Sequence, residues 1–449
     1  MGAGASADLS RNAELVDDLD RLVRKQQHFV NVAFAQRNQG AVIHSDGRTG
    51  PRDIPAGAVT YLWKQDPSVE RVGIRKVFLP HNVAEGPKDD LIEVVLELTT
   101  KAGKVEKDCK ASAVAKPDAK GDFLPDIAED PFCFDLVHAY TVARLTVDMY
   151  QRDLKIADWK WNWDRNLGPG QAKTPLRIIA HAGEKANATY HRGKRALKFY
   201  YLTIGDKTAY LCRSFDIVAH ETGHAILDAL KPKLYSCHKG QAGALHEAFA
   251  DLTACFAVLD QLDMCEDIVA ETKGDLRKAG WLTAIGEQFA GHMKGTDGAQ
   301  PSMGDDENED DEHQEVAGMR NMNNDLTGES CGKGIYDIAN VFTGYVFDVL
   351  VDIFNWERDP QLGESDAKCL NRVSGIVRRM LLLGLFNSSD VPDFAEVSSG
   401  MEKAVDVIAQ SDPGDIAMYK RILAKRRSDR VLALAGEEKK EPAVDLGAW

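Results

Sequence analysis

Apolar positions recur at two periods along the chain, and the switches between them sketch its elements. From Asn12 to about Gln36, Leu15, Leu19, Leu22 and Val23 share one face with charges opposite, which predicts an amphipathic helix. The Gly, Pro and Asp density from Gly40 to Pro55 predicts loop and turns. Strand-like runs follow at VTYLWK from Val59, RVGIRKVFL from Arg71 and LIEVVLELTT from Leu91, the pattern of an antiparallel sheet. KPDAKGDFLPD, Lys116 to Asp126, marks a boundary, and a helix over His138–Tyr150 comes after it. In DWKWNWD, Trp159, Trp161 and Trp163 alternate with polar residues; this predicts a half-buried strand, with a stacking platform for a ligand as the sharper alternative. LRIIAHA and ALKFYYLTIG extend the sheet as far as Ser214.

The stretch SFDIVAHETGHAILDALKP, Ser214 to Pro232, predicts one helix that Ser214 or Asp216 can cap and Pro232 cannot continue. It is apolar on most sides and therefore buried. Gly223 costs roughly 1 kcal/mol in a helix interior, which fits close approach by another element. Beyond Gly243 the pattern is helical to near Arg427, with helices expected near Ile338–Phe354, Asp366–Leu383 and Phe394–Ile408. DDENEDDE, Asp305 to Glu312, interrupts it as a solvated loop, or as a Ca²⁺-binding or acid-repelling one. The tail GEEKKEPAVDLGAW is expected to be disordered.

At 449 residues the chain holds two or three domains with substantial cores, and 44% hydrophobic and 28% charged content is ordinary for a globular protein. A net charge of −15 argues against nucleic acid and against an anionic membrane surface as partners. No run is read as a transmembrane segment; MLLLGLF, Met380 to Phe386, is the nearest. No apolar secretory h-region is visible, so a cytoplasmic location is expected, with Gly2 a myristoyl acceptor if the host is eukaryotic. The eight cysteines lack framework spacing, and Cys212 and Cys255 sit in apolar stretches, which reads as reduced thiols.

Chemistry concentrates in the Ser214–Pro232 helix. His220 and His224 lie one turn apart on one face, so two imidazole nitrogens can meet one tetrahedral Zn²⁺. Glu221 flanks that face, where a carboxylate reaches a water at the metal without ligating the metal itself. In GALHEAFADL, Glu247 and Asp251 lie four apart on a second helix. A loop between the helices lets Glu247 act as third ligand, leaving a fourth position open as in a catalytic zinc site. Asp251 then accepts the second N–H of a ligating histidine and fixes its tautomer. Alone, either acid is an ordinary solvated helix residue.

Together His220, Glu221, His224, Glu247 and Asp251 resemble the site of the thermolysin-like zinc peptidases (gluzincins with His-Glu-x-x-His and a downstream Glu-x-x-x-Asp). Further matches run in order over about Pro125 to Phe354. Tyr235 stands where the family has an oxyanion-stabilising tyrosine. Asn187 and Ala188, in NATY, resemble the edge strand that pairs with substrate backbone. Arg320, in GMRNM, resembles the arginine that bonds a substrate carbonyl, and His138–Tyr150 resembles the family's opening helix. Ile217 would line an apolar specificity pocket. Where the family has an oxyanion-holding histidine this chain has Tyr336, a phenol that donates without titrating near neutrality. Asp216 matches a family calcium ligand, but a second is replaced by Val258; Asp260, Asp263, Glu266 and Asp267 are the carboxylates available to substitute.

The resemblance implies an α+β, thermolysin-like two-lobed peptidase, with a mainly antiparallel sheet lobe, a helical lobe and the zinc site in the cleft. The expected divisions are an N-terminal helix and β-rich accessory region (1–115), an α/β lobe with the zinc helix (116–240), a helical lobe with the third ligand (241–430) and a tail (431–449). The expected function is a zinc endopeptidase acting on peptide or protein substrates. An aminopeptidase would need a Gly-x-Met-Glu-Asn-like motif ahead of the zinc helix; SGMEKA at Ser399 lies after it and lacks the asparagine. A non-catalytic metal-binding scaffold would not require an acid at Glu221.

Overall fold

The computed structural model describes residues 42–43, 49–50, 57–95, 114–283 and 321–435, apart from 68, 70–72, 169, 186, 205–206, 238–239, 360–362 and 410–413. Gly2, the expected 12–36 helix, the end of the Leu91–Thr100 run, Cys109, the acidic run Asp305–Glu312, Arg320 and the tail from 436 lie outside the described residues.

The described chain is mixed α+β. Strands β1 (Val42–Ile43) and β2 (Thr49–Gly50) form a short antiparallel pair. Strands β3 (Ala58–Trp63) and β4 (Ile74–Leu79) form an antiparallel ladder with Ala58 opposite Leu79. Strands β5 (Ile92–Val95), β6 (Leu176–Ile179), β7 (Ala188–His191) and β8 (Ala196–Phe199) form a four-stranded sheet in the order β5-β6-β8-β7. A hairpin of β9 (Tyr201–Ile204) and β10 (Lys207–Tyr210) follows.

The four-stranded sheet departs from the antiparallel expectation, since β5–β6 and β6–β8 pair parallel and only β7–β8 antiparallel. The cause is connectivity. A long helix-bearing crossover separates β5 from β6, which permits parallel pairing, whereas the short turn between β7 and β8 enforces reversal. Because β5 pairs with β6, the strand run ahead of residue 115 continues into the sheet that leads to the histidine helix.

Helix α1 (Pro131–Leu154) starts where Asp130 accepts from the Cys133 N–H, with proline in the first turn, and ends at left-handed Lys155. Helices α2 (Phe215–Leu230) and α3 (Gly240–Leu259) follow, then α4 (Leu262–Thr272), α5 (Ile335–Glu357), α6 (Asp366–Phe386), α7 (Phe394–Ile408) and α8 (Ile416–Arg430). Ser365 caps α6, and Asp393 with Glu396 forms a capping box on α7. Helix α1 packs against β3, β5 and α2, α2 packs on α3, and α3 packs on α5, so the histidine helix sits between the sheet side and the helical side. By length and composition alone α3 could cross a membrane, but 94% of its apolar window is buried inside the protein.

The tryptophan run is not a strand. Residues 162–164 form a turn of 3₁₀ helix, Trp159 and Trp161 are 2% and 0% exposed, and the rings pack on one another at 5.9 Å. Trp161 donates its indole N–H to the Leu91 carbonyl at 2.8 Å, and Trp163 donates to that of Thr174 at 2.9 Å. The alternation reports rings packed on one another, with Trp159 and Trp161 buried and the N–H groups of Trp161 and Trp163 satisfied. Among the described residues every cysteine is a free thiol, and burial pushes Cys255 up to about 12 and Cys133 to about 11.

The crossing of α2 and α3 explains Gly223. A Cβ there would lie 2.9 Å from the Thr253 Cβ and 3.0 Å from the Ala250 Cα, so the helices touch backbone to backbone. Gly223→Val should therefore destabilise the fold by on the order of 1–3 kcal/mol through overpacking, read by chemical denaturation. An unchanged midpoint would mean that the two helices are not in contact there.

His138 on α1 supplies a pH dependence. It is fully buried and accepts the Trp63 backbone N–H on Nδ1 at 3.1 Å. Burial, with the nearby Arg213 charge and against the pull of Asp135, lowers its pKa to about 3. The unfolded chain binds this proton below about pH 6.5 and the folded chain does not, so stability falls as pH drops from 6.5 toward 3. Between pH 6.5 and pH 4 the wild type should lose roughly 3 kcal/mol more than His138→Gln. Parallel denaturation curves at both pH values measure it, and equal losses would refute it.

Candidate metal centre

Ser214 occupies the N-cap position of α2, but its side chain makes no cap. Its hydroxyl instead lies between the buried carboxylates of Asp66 and Asp216, and Asp216 accepts the Ile217 N–H at 2.8 Å. At the other end, Lys231 and Pro232 stop the helix. Between these ends almost every residue of α2 is buried, His220, Glu221 and His224 included.

Helix α3 runs antiparallel to α2, because His220 faces Asp251 while His224, a turn later, faces His246 and Glu247. The two Nε2 atoms lie 3.0 Å apart. Glu247 places Oε2 3.7 Å from Nε2 of His220 and Oε1 3.6 Å from Nε2 of His224. These separations bracket the roughly 3.3 Å edge of a tetrahedron whose bonds are about 2.0–2.1 Å long. A carboxylate oxygen of Glu221 and one ring nitrogen of each histidine lie within 4.8 Å of one another, all buried.

The neighbours of each imidazole come from the facing helix. Nδ1 of His220 lies 2.9 Å from Oδ1 of Asp251, which sets a buried carboxylate beside the ring nitrogen that faces away from His224. Nδ1 of His224 lies 2.7 Å from Nδ1 of His246; a proton on His224 Nδ1 would leave a lone pair on its Nε2, and one on His246 would not. The two Nε2 atoms, 3.0 Å apart, are also within hydrogen-bonding distance of one another, with the roles set by the tautomer. The buried group of His220, Glu221 and His224 could hold a metal ion, with the Glu247 carboxylate 3.6–3.7 Å from both Nε2 atoms.

His246 is the residue that sequence reasoning missed. It precedes Glu247 directly, so a one-face reading of α3 turns it aside; only the crossing of the two helices brings it to His224. An imidazole inside an otherwise apolar helix, next to the third candidate ligand, was the available signal.

Tyr235 stands close by, its ring edge-on to His246 at 5.6 Å and beneath the Arg192 guanidinium at 4.0 Å. Ala188 opens β7, the end strand of its sheet, which packs against α2, and Asn187 lies just ahead of it. Asn187 gives its carbonyl to the Tyr200 N–H at 3.2 Å. Tyr190 of the same strand donates to buried Asp228 at 2.6 Å, and burial together with that carboxylate pushes its phenol well up. Ile217 is buried on α2, and Tyr336 is half-buried in the first turn of α5.

The carboxylates available to replace the missing calcium ligand are mostly paired with cations. Asp260 is held between Arg152 and Arg378, Asp263 between Lys64 and Arg75, and Asp267 against Lys64, while Glu266 is exposed. A second buried group, Asp135, His181 and Cys212, could also hold a metal. There, however, Arg213 donates to both carboxylate oxygens of Asp135, at 2.6 and 3.1 Å, and already balances its charge.

No protein-family model matches the chain, and a search of curated proteins finds no match to it.

Purified chain should carry one tightly held divalent ion, measured by elemental analysis. Glu247→Ala should lose it, and Asp251→Asn should weaken it about 10- to 100-fold. Equal metal content in all three proteins would refute this ligand set.

Proposed function

We propose that the protein is a zinc endopeptidase of the thermolysin-like kind, two-lobed with the metal between the lobes. The observation that carries this reading is the convergence of both Nε2 atoms and the Glu247 carboxylate, with Glu221 in the same buried group. Zinc held there would supply Lewis acidity toward a water and a carbonyl. Glu221 takes a proton from the attacking water and delivers it to the leaving amine. The Tyr235 hydroxyl donates to the developing oxyanion, with Tyr336 as a further donor. Asn187 and Ala188 hold an extended substrate by strand addition, and Arg320 bonds a substrate carbonyl.

An acid beside two metal-facing imidazoles is needed only for chemistry, which favours a hydrolase over a binding scaffold. Glu221→Gln should leave zinc content unchanged and lower turnover on a peptide library by at least about 10²-fold. Retained turnover in that variant would overturn the mechanism. Internal cuts that a chelator abolishes would support the endopeptidase; terminal trimming alone would point to an aminopeptidase.

A further inference from the structure

A line of side chains runs from the far end of the histidine helix back to His224. Asp228, one turn beyond His224 on α2, is fully buried. It accepts Arg192 Nε at 2.9 Å, a second Arg192 nitrogen, and the Tyr190 hydroxyl. Arg192 also donates to the Pro232 carbonyl at 2.7 Å. So fixed, its guanidinium lies over the Tyr235 ring at 4.0 Å. Tyr235 meets the His246 ring edge-on, and the His246 and His224 rings lie nearly coplanar, at 24°, with centroids 4.8 Å apart. With Nδ1 facing Nδ1 at 2.7 Å, those two rings sit edge to edge, joined by an in-plane hydrogen bond.

We propose that His246 is a positioning residue for the metal centre: it accepts the Nδ1 proton of His224, and the Asp228–Arg192–Tyr235 stack holds it in that pose. A ligating imidazole needs its distal N–H engaged to keep its tautomer and ring plane. Asp251 lies 2.9 Å from the distal nitrogen of His220, and without His246 the distal N–H of His224 loses the acceptor identified here. Both partners come from α3, which makes the metal's geometry depend on the register of one helix against another. A neutral imidazole polarises its donor less than a carboxylate does, so the two histidine ligands are unequal, His220 being the stronger donor. The inference rests on the metal-centre part of the reading above and not on the reaction.

The test is zinc affinity, by competition with a chelator of known strength, on wild type, His246→Leu, His246→Gln, Arg192→Ala and the Arg192→Ala/His246→Leu double variant. Melting of the zinc-free proteins, recorded alongside, checks folding. His246→Leu should bind zinc about 10- to 100-fold more weakly. His246→Gln, which keeps an acceptor, should recover most of that loss. Arg192→Ala should weaken binding in the wild-type background but add little once His246 is Leu, because both act through one contact. Wild-type affinity in His246→Leu, a Gln variant as weak as the Leu variant, or fully additive losses would each overturn the proposal. Peptide cleavage separates the two ideas: a wild type that binds zinc without cleaving removes the peptidase reading and leaves the brace standing, whereas normal cleavage with an unaltered His246→Leu affinity removes only the brace.

Discussion

The site depends on a backbone-to-backbone contact between two buried helices. Gly223 lets α2 approach the Cα of Ala250 and the side chain of Thr253 closely enough for side chains of both helices to share one small space. Within that space the histidine nitrogens stand 3.0 Å apart, with a carboxylate 3.6–3.7 Å from each. A larger residue at the crossing would part the helices and scatter the donors. The conformational cost of glycine inside a helix is offset by that approach. Thr253 is itself pinned, bonding the Tyr150 hydroxyl and the Phe249 carbonyl, each at 2.7 Å, so the contact is stiff on the α1 side as well.

Buried charge elsewhere holds these helices in register. Arg378 of α6, its side chain 3% exposed, reaches Asp153 at the end of α1 and Asp260 just past α3, and Asp260 also takes Arg152. Asp348 of α5 takes Arg430 of α8 and Arg277 beyond α4, while Arg430 also donates to the Leu326 carbonyl at 2.8 Å. Such networks add little net stability over apolar packing, because desolvation offsets most of the attraction. Breaking one partner, however, strands a buried charge, so they penalise any slipped arrangement of the helices. A candidate metal centre built on two helices and braced by further ones gains from that penalty.

Much of this was legible along the chain. The helices at 335–357, 366–386 and 394–408 follow the helical repeat of apolar residues, and their starts follow Ser365 and Asp393. The strands near Val59, Arg71 and Leu176 follow runs of β-branched and aromatic residues. Two expectations failed for identifiable reasons. Tryptophans alternating with polar residues satisfy the arithmetic of a strand, yet the segment is irregular, and the indole N–H groups of Trp161 and Trp163 reach the carbonyls of Leu91 and Thr174. Strand direction in the four-stranded sheet followed connection length, which the residues within each strand do not encode.

At the candidate metal centre, the candidate donors could be read from spacing along the chain. Helical spacing fixes His220 above His224, and Glu247 above Asp251, because those distances lie within one helix and need no tertiary contact. Only the tertiary structure decided how the two helices meet: Asp251 falls on His220, His246 falls on His224, and Arg192 from a strand turn closes over Tyr235. These pairings depend on the angle and depth of packing, set by small residues and buried charges far apart along the chain.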